Sequence, residues 1–298
     1  MSAQVHNNRK ARFFNHLDGG VVECRLCPRR CRIKPGEWGK CLARINIDGE
    51  LIAATYGHPA AMQVDPIEKK PFLWFMPGSK TFSIGTYGCN LSCQFCQNEE
   101  LSRNAAENDG HVVPFISPPE VISLAREYGC SSVAFTYNEP TVFIEYAMDI
   151  AKLAKESGLR TVLVTNGYIN AEPRAEFYKL MDAANIDLKA FSEFFYNSLC
   201  GGSLAPVLES CRYYKKTVEG HLEITNLLIP GRNDSPEMIE ELLKWVKGEL
   251  GLDTPIHFSA YYPTGSFQEP ATPAETLYMA EGIARRIGFS RVHLGNLR

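Results

Sequence analysis

Between residues 81 and 294 the sequence alternates short apolar, β-branched runs with longer stretches of helical period, and this alternation constrains the fold most. Strand signals fall at Thr81–Thr86, Ser132–Tyr137, Thr161–Thr165, Asn185–Lys189, Leu222–Leu228, Ile256–Tyr261 and Arg291–Leu294. Between them lie helical segments at Pro118–Tyr128, 140–157, 172–183, 192–219, Ser235–Gly248 and Pro273–Ile287. Ser117 reads as one N-cap and Asp234 or Ser235 as another, with Gly129 and Gly158 as terminators. Strands separated by helices imply parallel β/α units joined by right-handed crossovers. A closed eight-fold barrel takes about 250 residues. Seven strand candidates predict instead an α/β fold, an open, partial TIM-type barrel of about six β/α units over 81–298. Its chemistry belongs at the C-terminal ends of the strands.

The first 80 residues read differently, as a small cysteine-rich, metal-binding module with lead-in strands and turns at Asp48-Gly49 and Pro77-Gly78. Residues 1–44 carry ten Lys or Arg against three Asp or Glu, whereas the whole chain has net charge −3. Arg29, Arg30, Arg32 and Lys34 cluster among the cysteines, where a solvated face, or else an anionic partner, explains them without invoking nucleic acid. No apolar stretch approaches the roughly 18 residues of a spanning helix, and no export signal is visible, so a cytoplasmic protein without membrane contact is expected. Ten cysteines in such a chain point to metal or redox chemistry rather than disulfides. Seven form two groups: Cys24, Cys27, Cys31, Cys41 and then Cys89, Cys93, Cys96. The scattered Cys130, Cys200 and Cys211 read as small buried hydrophobes.

The second group, TYGCNLSCQFCQN, follows the first strand of the β/α series directly. Gly85 and Gly88 allow the backbone to wrap one centre at which three sulfurs meet. Three thiolates are one too few for a closed zinc site or a four-cysteine cluster, so the site borrows a ligand or keeps an open position. This C-x3-C-x2-C spacing, with Phe95 before the last cysteine, resembles the radical S-adenosylmethionine enzymes. The resemblance implies a 4Fe–4S cluster held by Cys89, Cys93 and Cys96, with S-adenosyl-L-methionine chelating the fourth iron. It further implies oxidoreductase-type chemistry, in which one electron cleaves the sulfonium to methionine and a hydrogen-abstracting 5′-deoxyadenosyl radical.

Over residues 81–295 the strand-end motifs follow the pyruvate formate-lyase activating-enzyme branch in order. By that resemblance Asn98 lies near the cofactor. Asn138 and Glu139, in FTYNEP, replace a Gly-Gly-Glu-Pro, with Glu139 accepting the cofactor ammonium. Read locally, Glu139 is equally a helix N-terminal acid. Thr165 and Asn166 match Thr-Asn-Gly, although Val164 stands where the branch has Asp. Asp187 and Lys189 match Asp-Leu-Lys and share one strand face, Lys189 suited to the cofactor carboxylate and the two together also reading as an ordinary ion pair. Glu223, Thr225 and Asn226 are further cavity candidates. Tyr262 replaces a frequent His, and His257 reads as structural.

Cys24, Cys27, Cys31 and Cys41 supply four thiolates within a short, turn-rich segment, enough for zinc or a second, auxiliary iron–sulfur cluster. This module, with VDPIEKKP (64–71) and MPGS (76–79), resembles the AmmeMemoRadiSam system subgroup. That resemblance implies Memo-like and AMME-type protein partners and an electron donor such as flavodoxin or ferredoxin. The function expected is hydrogen abstraction from an unidentified substrate, which includes the alternative of activating a glycine on a partner protein. A non-catalytic iron–sulfur electron carrier or metal-stabilised binding module is the competing class.

Overall fold

A computed structural model describes residues 9–103 and 114–297; the first eight residues, part of the N-terminal stretch read for an export signal, lie outside it. The chain opens with β1 (Phe14–His16), β2 (Val22–Cys24) and β3 (Arg32–Ile33) in one antiparallel sheet, then a hairpin of β4 (Arg44–Ile47) and β5 (Glu50–Ala53). Next come β6 (Ala61–Pro66), β7 (Lys80–Gly85), α1 (Glu99–Arg103), α2 (Pro118–Glu127) and β8 (Ser132–Phe135). They are followed by α3 (Ile144–Glu156), β9 (Arg160–Thr165), α4 (Ala171–Tyr178), β10 (Ala183–Asp187), α5 (Glu193–Phe195) and α6 (Ala205–Tyr213). The chain ends with β11 (His221–Leu228), α7 (Pro236–Glu249), β12 (Ile256–Ala260), α8 (Ala274–Ile287) and β13 (Val292–Gly295).

Strands β7 to β13 pair in sequence order, each parallel to the next, as the alternation requires. β6 extends this sheet antiparallel to β7, so part of the first 80 residues belongs to the main sheet. The hydrogen-bonded order has two ends, β6 and β13, the open arrangement expected. All four residues of β8 are buried because helices cover one face and the barrel interior the other. The caps are where the sequence puts them: Ser117 and Glu120 form a reciprocal capping box on α2, and Ser235 accepts from the Met238 amide on α7. The segment 192–219 is not one helix. A wide turn at Tyr196–Cys200 ends at Gly201 with φ 64°, and Pro206 restarts the chain in α6.

The strap between β6 and β7 closes the amino-terminal mouth of the barrel. Its Ile67, Phe72 and Phe75 pack onto Ala134, Val162 and Ala183, small residues that leave room inside. Above them the amides of Leu73 and Trp74 donate to the buried Glu223 carboxylate, which His221 and His257 also reach through Nε2 at 2.8 and 2.5 Å. Burial would raise Glu223, yet these partners hold it down to about 2. His257 therefore serves this internal layer, as its structural reading anticipates.

The cysteine-rich module rests on the opposite, carboxyl-terminal rim. The Cys89 amide donates to the Cys41 carbonyl at 3.2 Å. Arg29 reaches the Asn90 carbonyl and, at 2.5 Å, that of Gly201. Buried Arg44 forks onto Glu145 of α3 at 2.6 and 2.8 Å. Gly88 makes the approach possible: its φ is +94°, and a Cβ there would lie 2.2 Å from the Cys41 carbonyl oxygen. Gly88→Ala is expected to cost about 3 kcal/mol or more, since strain and a backbone clash coincide. Urea unfolding checks this, and a loss below about 1 kcal/mol would contradict the packing described.

Candidate active site

At the carboxyl ends of the strands lies a cavity of about 260 Å³. Cys89, Cys93 and Cys96 line it together with Asn98, Asn138, Glu139, Thr165, Asn166, Asp187 and Lys189, which come from four consecutive strand ends. The second cysteine group and the motifs that follow the next three strands thus meet in one place. Parallel strands cause this, because each carboxyl end opens on the same rim.

The three-cysteine loop is held mainly by groups other than its sulfurs. Asn138 accepts from the Thr86 amide at 2.9 Å and donates to the Gly88 carbonyl at 2.9 Å. The Ser92 and Gln94 amides donate to the carbonyls of Cys200 and Leu199, both at 2.9 Å. Asn166 donates to Asn90 Oδ1 at 2.9 Å and approaches Cys89 Sγ at 3.7 Å. Asn98 Nδ2 donates to the Tyr137 carbonyl at 2.7 Å. Phe95 is buried against Phe195 and Phe267. The loop therefore presents its thiols on a fixed backbone.

Glu139 is 3% exposed and accepts from the Thr141 amide (2.9 Å), Thr165 Oγ1 (2.7 Å) and the Asn166 amide (2.8 Å). The helix-terminal reading and the cavity reading both hold, since it caps the turn Pro140–Phe143 and also lines the cavity. Burial pushes its carboxyl up, against the pull of these bonds. A carboxylate has about four lone-pair sites, so three donors leave capacity for a cation. Opposite, Lys189 Nζ sits 2.9 Å from Asp187 Oδ2. Burial opposes its charge, but Asp187 first and the nearby Cys93 after it hold the ammonium well above its ordinary value.

Of the secondary candidates, Thr225 and Val164 line the cavity, while Glu223 lies beneath it. Asn226 turns to the Leu188 and Lys189 carbonyls at 2.8 and 3.0 Å. Tyr262 bonds the Asn296 carbonyl at 2.8 Å and is not among the cavity lining.

The sequence offers little sign of two further features. Tyr137 lines the cavity with φ +72°, a left-handed conformation costly for an aromatic residue. Its hydroxyl donates to Asp65 Oδ2 at 2.8 Å, and Lys70 Nζ lies 2.8 Å from the same oxygen and 4.0 Å from the ring centroid. The side chain is thereby locked. Cys200, read as a buried hydrophobe, is buried, and its thiol acts on that of Cys93, helping to hold it below its ordinary value.

In the first group, Cys24, Cys27, Cys31 and Cys41 line one enclosed cavity between the module and the barrel, together with Arg44 and Asn90. Burial pushes the Cys27 thiol up to about 12 and the Cys41 thiol to about 11, so both are neutral unless a cation binds. Among the described residues no three His, Cys, Asp or Glu side chains converge as a single metal ion requires.

Residues 83–246 match the profile of the Radical SAM superfamily. The chain is 39% identical over 292 residues to an uncharacterized protein of Methanocaldococcus jannaschii, covering 97% of this chain and 85% of the other. It is 23% identical over 179 residues to the pyruvate formate-lyase-activating enzyme of Listeria monocytogenes, covering 57% of this chain and 71% of that enzyme. In three dimensions it resembles a radical SAM methyltransferase from Sphaerobacter thermophilus, with TM-score 0.54, 19% identity and coverage of 74% and 67%. That likeness speaks for the fold. A profile spanning over half the chain, on a sheet whose first strand leads into three cysteines at one cavity, places this protein in the radical SAM superfamily of enzymes.

Proposed function

We propose that this enzyme cleaves S-adenosyl-L-methionine reductively and abstracts hydrogen from a substrate. The observation that carries the reading is the shared cavity: three thiols of one loop face a buried, incompletely satisfied carboxylate and a charged lysine. When bound, a 4Fe–4S cluster on Cys89, Cys93 and Cys96 supplies the electron that splits the sulfonium into methionine and a 5′-deoxyadenosyl radical. Around that chemistry the chain's own groups bind and orient. Glu139 takes the cofactor ammonium, Lys189 its carboxylate, and Asp187 keeps Lys189 charged and aimed. Thr165 and Asn166 fix the Glu139 carboxylate, and Asn98 anchors the Tyr137 backbone at the cavity wall.

Anaerobic reconstitution with iron and sulfide, reduction with dithionite and assay of 5′-deoxyadenosine test the reading. Product is expected, and its absence from fully loaded protein overturns it. Glu139→Gln removes the negative charge while keeping the shape. The loss of one charge-assisted bond, about 1.5–3 kcal/mol, is expected to weaken cofactor binding about 10- to 100-fold. Equilibrium dialysis checks this, and an unchanged affinity rejects the role given to Glu139.

The similarity to an activating enzyme favours one refinement, a glycine on a partner protein as the hydrogen donor. Electron paramagnetic resonance of candidate partners after turnover separates it from a small-molecule substrate. Memo-like and AMME-type proteins are the partners to test first, with flavodoxin or ferredoxin as reductant.

A further inference from the structure

We propose that Asp65 and Lys70 are positioning residues for the cofactor site: through Tyr137 they fix the turn that carries Asn138 and Glu139. This role rests on the cofactor reading above and extends it to VDPIEKKP, a segment outside residues 83–246 of the superfamily profile.

The turn is sharp and strained. The Asn138 amide donates to the Thr136 carbonyl at 3.0 Å across Tyr137, whose φ is +72°. This is the γ-turn of positive φ, a rare conformation that glycine takes with less strain. It turns the chain off the end of β8 so that Asn138 reaches back to Thr86 and Gly88 while Glu139 lines the cavity. Strain of this kind persists where the surroundings over-determine a residue. Relaxation at Tyr137 would move the next two residues, a clamp of the three-cysteine loop and the acceptor for the cofactor ammonium.

Tyr137 is fixed at four points. Asn98 Nδ2 donates to its carbonyl at 2.7 Å. Gly85 packs against it so closely that a Cβ there would lie 2.9 Å from the Tyr137 Cβ. The other two points come from VDPIEKKP. The hydroxyl donates to Asp65 Oδ2 at 2.8 Å, and Lys70 Nζ stands 4.0 Å from the ring centroid. Tyr137 lines the cavity and Asp65 and Lys70 do not, so they reach it through Tyr137.

Asp65 and Lys70 are themselves held. Both side chains are 4% exposed and pair at 2.8 Å, and Lys69 Nζ reaches the other Asp65 oxygen at 2.8 Å. Burial would raise the Asp65 carboxyl, yet the two ammoniums and the Tyr137 hydroxyl keep it well below the usual carboxylate range. Just beyond Lys70, the Pro71 carbonyl accepts Asn185 Nδ2 at 2.8 Å and Phe72 is fully buried. A buried ion pair is a poor source of stability in itself. Its contact with a strained residue at the cavity wall gives it a use.

Tyr137→Phe removes the hydroxyl but leaves Asp65 its two ammoniums, so the fold is expected to persist. On anaerobically reconstituted protein, equilibrium dialysis is expected to show S-adenosylmethionine bound about tenfold more weakly. The KM for that molecule in deoxyadenosine assays is expected to rise about tenfold, with kcat at saturation within about threefold of wild type. Tyr137→Gly permits the same backbone angle without the anchor, and binding is expected to weaken at least as much. Asp65→Asn/Tyr137→Phe is expected to match the weaker-binding single variant within about twofold, since both changes act through one hydrogen bond. Iron content and circular dichroism on the same samples report loading and fold. Wild-type affinity in Tyr137→Phe and Tyr137→Gly overturns the proposal, as do additive losses in the double variant. So does a fall in kcat that follows lost iron or lost fold at unchanged KM, the mark of a purely structural residue. If neither Tyr137 variant folds, the role is likewise structural and the proposal falls. Wild type that binds S-adenosylmethionine without cleaving it defeats only the catalytic reading. Wild type that cleaves it while both Tyr137 variants bind normally defeats only this inference.

Discussion

Cys93→Ser is expected to reduce 5′-deoxyadenosine formation by about 10³-fold or more, equivalent to at least 4 kcal/mol of lost transition-state stabilisation. A hydroxyl is a poor ligand for iron, and no other thiolate on the loop replaces it. The fold is expected to survive. The Ser92 and Gln94 amides keep their carbonyl partners at Cys200 and Leu199, and Asn138 still clamps Thr86 and Gly88. Iron content, circular dichroism and product assay on one sample distinguish lost ligation from lost structure. The sharpest challenge comes from Cys200, the residue that acts most strongly on the Cys93 thiol. If Cys93→Ser keeps substantial activity and Cys93→Ser/Cys200→Ala loses it, Cys200 has taken the ligand position and the three-cysteine assignment is wrong.

Arg44→Met is expected to destabilise the protein by about 3–5 kcal/mol and lower its midpoint by roughly 10 °C. The reason lies in what remains. Glu145 is 2% exposed, and without the guanidinium its carboxylate would keep only the Arg12 amide at 2.8 Å. An unpaired buried charge is far costlier than the pair is beneficial, so Arg44→Met/Glu145→Leu is expected to recover most of the loss. Urea unfolding of both variants measures this. Equal stabilities for the single variant and wild type would show that the module is not anchored through this pair.

Much of the site was legible because its parts follow one another along the chain. Cys89 to Cys96 occupy one loop, and Glu139, Thr165, Asn166, Asp187 and Lys189 each lie at a strand end or within four residues beyond it. A parallel sheet in sequence order brings successive strand ends to one rim, so reading the motifs in order is close to reading the cavity wall. Helix caps were legible for a related reason, since Ser117 and Glu120 satisfy each other across a single turn. Helix continuity was less so. The segment 192–219 has helical composition throughout, but Gly201 and Pro206 divide it, and the wide turn that precedes Gly201 carries Cys200, whose thiol acts on that of Cys93.

What the order of residues determined by itself is the parallel β/α series, the three-thiol loop after its first strand and the ring of polar strand ends, because each depends on local period or spacing. Only the tertiary structure decided the partnerships made across long separations. Arg44 finds Glu145 at a separation of 101 residues, the Tyr137 hydroxyl finds Asp65 72 residues away, and the strap at Leu73 and Trp74 caps Glu223. Such contacts carry no period: a buried charge or amide is matched by whichever group the packed fold brings within reach, and that choice exists only once the strands have assembled.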